Sequence, residues 1–310
     1  MVHTLTMNML QFILDIIQNE SIDPNLFSFL VAMLQDLLPD SKVEEDSLLI
    51  LPSLCNHVIN GESFLPTPVT SAWALLYTAL YLLNKIEDKE TKNLPLRIDD
   101  GCITNLTTVL IFLAQTILNS LENEGIKLQS AQRIRQNINQ TVLSMCAAQH
   151  QDLTQDVYSL EDGWDIYGKK SGLFFACGAY IGVICTNDNE VIAKKTAEYG
   201  FHLGLLVQIA NDIKDFQSDL TLWGNHHISI LYAKDILPEL KKKQLLFFLS
   251  QQKKREAYRK DIRDLLIENG ALIYLGLSIE KHKILARQAL LSLALSETGL
   301  LTLTRRLDLF

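Results

Sequence analysis

Residues 204–216, GLLVQIANDIKDF, set amides and acids inside one of the most apolar stretches of the chain. Leu205, Leu206, Val207, Ile209, Ala210 and Ile213 suit a packed core, whereas Gln208, Asn211, Asp212, Lys214 and Asp215 do not. On a helix, Gln208, Asn211 (or Asp212), Asp215 and Asp219 share one face. Carboxylates on one face repel each other unless a cation sits among them. Magnesium is a hard cation that takes oxygen ligands, often one or two carboxylates plus substrate phosphates. The plainer alternative is a solvated face with Lys214 as its internal partner. Spacing alone leaves both open.

The surrounding sequence sets the context. Glycine and proline are few, and the long stretches without them carry apolar residues at three- and four-residue spacing. Residues 71–90, 130–153 and 188–216 each read as a long helix, and 235–310 looks helical throughout. Period-two alternation of β-branched residues is nearly absent, so no sheet is expected. No Pro/Gly/Ser linker divides the chain and no internal repeat is found. The expectation is one all-α domain over residues 1–310, a bundle of ten or more helices.

Charge and composition exclude several functions. With a net charge of −8 and no Lys/Arg run, the chain does not read as a nucleic-acid binder. An anionic substrate would need local cations or metal to overcome that field. The five cysteines are scattered, form no CxxC pair and lie in apolar stretches. They read as buried free thiols in a reducing, cytoplasmic setting. The first twenty residues lack the basic start of a signal peptide. Residues 101–120 are uncharged, but their threonines and amides favour a core helix over a transmembrane segment.

Two apparent motifs fail on inspection. GWDIYGKKS (163–171) nearly matches a nucleotide phosphate loop, but Lys170 stands where Ser or Thr is needed and no strand precedes it. His226 and His227 lack a third spaced metal ligand and read as loop histidines.

An ordered set of segments resembles the trans-isoprenyl diphosphate synthases, the polyprenyl synthetase family. GLLVQIANDIKD resembles the family's second aspartate-rich motif, G-x-x-F-Q-x-x-D-D-x-x-D, matching at Gly204, Gln208, Asp212 and Asp215. AQHQDL (148–153) resembles G-Q-x-x-D-L at Gln149, Asp152 and Leu153. KSGLFF (170–175) resembles K-T-x-x-L-F at Lys170, Leu173 and Phe174. GNHHISILYA (224–233) resembles G-K-x-T-L-P-x-I-Y-A without its Lys and Pro, and the stretch beginning Asn269-Gly270 resembles the family's closing helix.

The resemblance implies an all-α fold around a central cavity, of the isoprenoid synthase type. It implies an allylic prenyl diphosphate as substrate, magnesium as cofactor, and a homodimer or a heterodimer with a related synthase. It assigns Asp212 and Asp215 to magnesium, with Asn211 as a neutral oxygen ligand and Asp88 as the residue kept from the first aspartate-rich motif. It places Lys170 and Gln208 on the diphosphate, and Gln149 and Asp152 along the cavity, with Asp152 organising Lys170.

The pattern is broken in the first half of the chain. In LYTALYLLNKIED (76–88), Asn84 and Lys85 replace the first two acids of the motif and Tyr77 stands where the family has His. Lys85 would act as a fixed cation in place of one metal, so fewer than three ions, or none, are expected. Leu48, Leu49 and Leu51 occupy the positions of the basic residues that hold isopentenyl diphosphate. Each lost charge-assisted bond is worth about 1.5–3 kcal/mol, so this co-substrate should not bind tightly. Two readings follow. One is a divergent enzyme that ionises an allylic diphosphate and then cyclises it, hydrolyses it or transfers its prenyl group. The other is a non-catalytic subunit paired with an active prenyl synthase.

Overall fold

A computed structural model describes residues 2–20, 22–37, 48–61, 66–87, 91, 94, 99–154, 159–217, 227–251 and 257–310, with the backbone alone at 2–8, 35–37, 215 and 217. The described residues are helical, with no strand among them. In chain order the helices are α1 (Val2–Asn19), α2 (Pro24–Leu37), α3 (Leu51–Asn60), α4 (Thr67–Glu87), α5 (Asp100–Asn119), α6 (Leu128–Thr154) and α7 (Leu160–Tyr167). After a π-type turn at Gly168–Gly172 come α8 (Leu173–Ile184), α9 (Glu190–Gln217), α10 (Ile228–Ile236), α11 (Glu239–Ser250), α12 (Arg259–Glu268), α13 (Ala271–Leu291) and α14 (Glu297–Thr304). The helices expected over 71–90, 130–153 and 188–216 are α4, α6 and α9. The residues fall into two compact units: 1–138 with 178–197 and 293–309, and 139–177 with 198–292.

The first unit is built on α4. Residues 68–76 of this helix are buried on every side, as a central helix requires. Two helix pairs approach through glycine. A Cβ at Gly182 would lie 2.1 Å from the Pro52 carbonyl oxygen, and one at Gly178 would meet the Trp73 indole at 2.7 Å. α5 starts on an Asp99 cap that accepts the Cys102 amide. It packs along α4 and buries Ile103, Leu106, Leu110, Leu113 and Ile117. It is the one described helix long and apolar enough to cross a membrane, and less than half of its apolar window is buried. Cys55, Cys177 and Cys185 are buried as expected. Cys102 and Cys146 are exposed, because each lies on the outer face of an amphipathic helix, where local apolarity in sequence does not mean burial.

The second unit holds the stretch that poses the opening question. Leu205, Leu206, Ile209 and Phe216 are buried, and Phe216 joins a core with Ile230 of α10, Leu237 just after it, Leu245 and Phe248 of α11, and Ile262 and Leu266 of α12. The apolar residues of GLLVQIANDIKDF therefore hold this unit together, while its polar residues are left to define a site.

Candidate functional site

Close backbone contact sets the site within the second unit. Gly204 on α9 packs directly against the π-type turn, where an added Cβ would lie 2.3 Å from the Ser171 carbonyl oxygen. Gly172 faces Phe201 on the same helix, at 2.6 Å from an added Cβ. Only glycine lets the two backbones come this near. The π-type turn accommodates an extra residue and is a geometry often found at functional sites.

The approach brings expected residues together. Ser171 Oγ donates to Gln208 Oε1 at 2.9 Å. Lys170 Nζ donates to Asp152 Oδ2 at 2.8 Å, with the two side chains only 17% and 4% exposed. The structure thus pairs Asp152 with Lys170. Gln149 lies one helical turn before Asp152, on the same face of α6. Both polar atoms of its carboxamide are buried and lack a hydrogen-bond partner among the described residues. A buried amide left in this state costs about 1–3 kcal/mol. Gln149 and Asp152 thus share one face of α6, with Lys170 paired to the acid.

Asp212 sits differently. It is 2% exposed. Tyr167 donates its hydroxyl proton to Asp212 Oδ2 at 2.5 Å, and His227 Nδ1 lies 3.3 Å from the same oxygen. His227 Nδ1 is also 3.1 Å from Ser229 Oγ. The Tyr167 oxygen accepts the Ile228 backbone N–H, and burial, followed by the Asp212 charge, pushes its hydroxyl well above its usual range. Asp212 therefore ties α7, α9 and the start of α10 together. His227, the residue before α10, lies outside the helix as expected, and its side chain is a buried partner of this acid. His226 lies outside the described residues.

Tyr167 and His227 engage one oxygen of Asp212, Oδ2. Asn211 is exposed, and Asp88 and the Asp215 side chain lie outside the described residues. Among the described residues no three His, Cys, Asp or Glu side chains are grouped to hold a metal ion. Tyr77 and Lys85 belong to α4 in the first unit. Tyr77 is half-buried with its ring 5.7 Å from Trp73, and Lys85 lies over the Tyr81 ring at 5.6 Å.

Sequence reasoning missed Tyr167 and His227. A tyrosine hydroxyl deep in a core needs a polar partner, so a Tyr in the apolar turn before Lys170 was the available signal. It also missed a cluster of aromatic rings. His202 Nδ1 is 3.1 Å from His282 Nδ1, and Trp164 packs 5.7 Å from His282 while donating to the Tyr274 hydroxyl at 2.9 Å. Tyr274 stacks on Tyr232 at 4.1 Å. Burial, then the neighbouring His202 and Lys281, hold His282 down at about 4.

Comparison with known proteins agrees with this fold. The sequence model of the polyprenyl synthetase family matches residues 102–266, over half of the chain. The chain belongs to the polyprenyl synthetase family. It is similar to the short chain isoprenyl diphosphate synthase of Methanocaldococcus jannaschii, at 24% identity over 44% of this chain and 46% of that protein. It is also similar to heptaprenyl diphosphate synthase component 2 of Bacillus subtilis, at 29% identity over 31% of each. The chain thus spans less than half the length of these curated relatives. The structure of geranylgeranyl pyrophosphate synthetase from Pyrococcus horikoshii superposes with a TM-score of 0.80, covering 99% of this chain and 95% of that one at 16% identity. The all-α isoprenyl synthase fold is therefore shared, and a fold alone does not fix an activity.

Proposed function

We propose that this chain binds an allylic prenyl diphosphate and promotes its ionisation, followed by cyclisation, hydrolysis or prenyl transfer. The observation that carries this reading is the buried Lys170–Asp152 pair beside the unsatisfied Gln149 carboxamide. A lysine held by one acid in a half-dry wall keeps further N–H donors for an incoming anion. A diphosphate would supply the acceptors that Gln149 lacks. Ser171 and Gln208 would orient it, and Asp152 would position Lys170. Charge leaving the carbon chain would be stabilised by these preset donors. Residues 1–310 would work as one isoprenoid-synthase-type domain. The metal requirement would be low, with fewer than three magnesium ions or none, and with Asp212, Asp215, Asn211 and Asp88 as the candidate donors.

The leucines at 48, 49 and 51 argue against a place for isopentenyl diphosphate. The test is incubation with geranyl, farnesyl and geranylgeranyl diphosphates, each with and without isopentenyl diphosphate and magnesium. Diphosphate released without the five-carbon partner supports the reading. An elongated product refutes the argument from the leucines.

A second reading is favoured by one observation, the engagement of Asp212 by Tyr167 and His227. An acid withdrawn from the family's metal set suits a non-catalytic subunit paired with an active prenyl synthase. Its support is the similarity to a protein named as one component of a synthase. No turnover with any substrate, together with co-purification of an active synthase, would decide for it.

A further inference from the structure

Two histidines meet where α9 and α13 face each other in the second unit, away from the diphosphate residues. His202 Nδ1 and His282 Nδ1 stand 3.1 Å apart, with ring centroids 5.2 Å apart and ring planes tilted by 34°. Two charged rings at that distance would repel. The contact therefore suits neutral imidazoles, one Nδ1 carrying its proton and the other offering its lone pair. Burial, the largest influence on both, favours that state: it holds His202 below its usual range and His282 at about 4. A neutral imidazole nitrogen is also the form in which histidine ligates a transition-metal ion.

The surroundings fix the pair and leave it a way to solvent. His282 is buried, whereas His202 is only half-buried. Trp164 packs 5.7 Å from the His282 ring and is itself held by its bond to the Tyr274 hydroxyl, and Tyr274 stacks on Tyr232. A rigid apolar shell of this kind sets the orientation of a ligating ring and lowers the local polarity. Glu198, one turn before His202 on α9, acts on that ring as a negative charge, and Lys281 beside His282 acts as a positive one. Both are exposed, so water and salt screen them and their opposite effects largely offset. Distance decides the kind of ion. Zinc holds imidazole nitrogens at about 2.0–2.1 Å in a tetrahedron, which spaces two of them about 3.3–3.4 Å apart. The pair needs to open by only about 0.2–0.3 Å to reach that spacing. Magnesium prefers oxygen ligands and is poorly served by two nitrogens.

We propose that His202 and His282 form a two-histidine site for zinc or a similar divalent transition-metal ion, which bridges α9 and α13 through the two Nδ1 atoms, with water in its remaining positions. On binding, the proton held between the two Nδ1 atoms leaves and the same ring takes one up on Nε2, so both rings stay neutral and no net proton is released. No third His, Cys, Asp or Glu completes the set among the described residues. The affinity is accordingly about micromolar, weaker than that of a closed structural zinc site. The bridge falls two residues before Gly204, so the ion pins the part of α9 that approaches the π-type turn. The proposal stands whether or not the diphosphate reading holds, since the two sites share no residue.

Zinc titration calorimetry on the untagged, chelator-treated full chain, in excess magnesium, tests the proposal. Wild type should take up zinc with a Kd of about micromolar, and His202→Gln and His282→Gln should each weaken that binding at least about tenfold. His150→Gln, at an exposed position of α6, should leave it unchanged. Zinc should raise the melting temperature of wild type and not of His282→Gln, because an ion held only by the folded state stabilises it. Nitrogen-15 NMR of the wild-type imidazoles needs no variant, and zinc should move the Nδ1 signals of two histidines. The proposal is overturned if wild type binds zinc no more tightly than about millimolar. It is equally overturned if either histidine variant binds as wild type does, if His150→Gln weakens binding as much, or if zinc shifts other histidines and leaves these two Nδ1 atoms untouched.

Discussion

Replacing Gly204 with alanine sets two effects of known sign against each other. In an exposed helix interior, alanine is favoured over glycine by about 1 kcal/mol. At position 204, however, the new Cβ would stand 2.3 Å from the Ser171 carbonyl oxygen, 2.7 Å from its carbon and 3.0 Å from the Gly172 Cα. Ordinary contact begins near 3.5 Å, so α9 and the π-type turn would have to part by about 1 Å. The obstruction is backbone, so no side chain can swing away to relieve it. Overpacking of this kind costs about 1–3 kcal/mol. The Ser171–Gln208 bond, now 2.9 Å, would stretch past hydrogen-bond range and add about 1 kcal/mol. After subtracting the propensity gain, Gly204→Ala should destabilise by about 1–3 kcal/mol in equilibrium urea unfolding followed by circular dichroism. Gly276→Ala is the control. It lies within α13 with open space around it, and should be neutral or stabilising by up to about 1 kcal/mol. A Gly204→Ala protein as stable as wild type, or more so, would refute the close-approach argument.

Tyr167→Phe should cost about 1.5–3 kcal/mol, the worth of a hydrogen bond to a charged group. In a double-mutant cycle with Asp212→Asn most of that loss should appear as coupling, and additive effects would show the 2.5 Å contact to be energetically idle. Lys170→Ala should weaken binding of inorganic diphosphate and of a non-hydrolysable farnesyl analogue by about tenfold or more in calorimetry. Equal affinity in the two proteins would place the anion elsewhere. His282 has a folded pKa of about 4, below its unfolded value near 6.5. Its neutral form is the one that folds, so its contribution is complete above about pH 6.5 and is lost as pH falls toward 4. The loss should be on the order of 2 kcal/mol after allowing for solvent screening. Urea unfolding at neutral and acid pH should show it for wild type and much less of it for His282→Gln, and parallel pH curves would refute the assignment.

The helices were legible because their signal is local. α4, α6 and α9 announce themselves by apolar spacing and by the scarcity of glycine and proline, and the core positions of GLLVQIANDIKDF follow from the same period. The Lys170–Asp152 pair was legible only through the resemblance, since its members stand eighteen positions apart with α7 between them. The role of Asp212 was not legible. Its partner Tyr167 is 45 residues distant, and no periodicity reports which of two neighbouring polar residues turns inward. Asn211 and Asp212 differ by one position on the helix, about 100°, and that rotation separates an exposed amide from a buried acid. The exposed thiols of Cys102 and Cys146 escaped for the same reason, because a composition window averages over both faces of a helix.

The π-type turn at Gly168–Gly172 also bears on how such a pocket can change over time. Losing one codon there would let the segment relax into ordinary α-helix without breaking α7 or α8. The residues of the turn itself would shift around the helix while α7 and α8 keep their faces, carrying Lys170 and Ser171 away from their partners. A lineage could in this way retire or redirect an anion-binding wall in one mutational step, with the hydrophobic scaffold left standing around it.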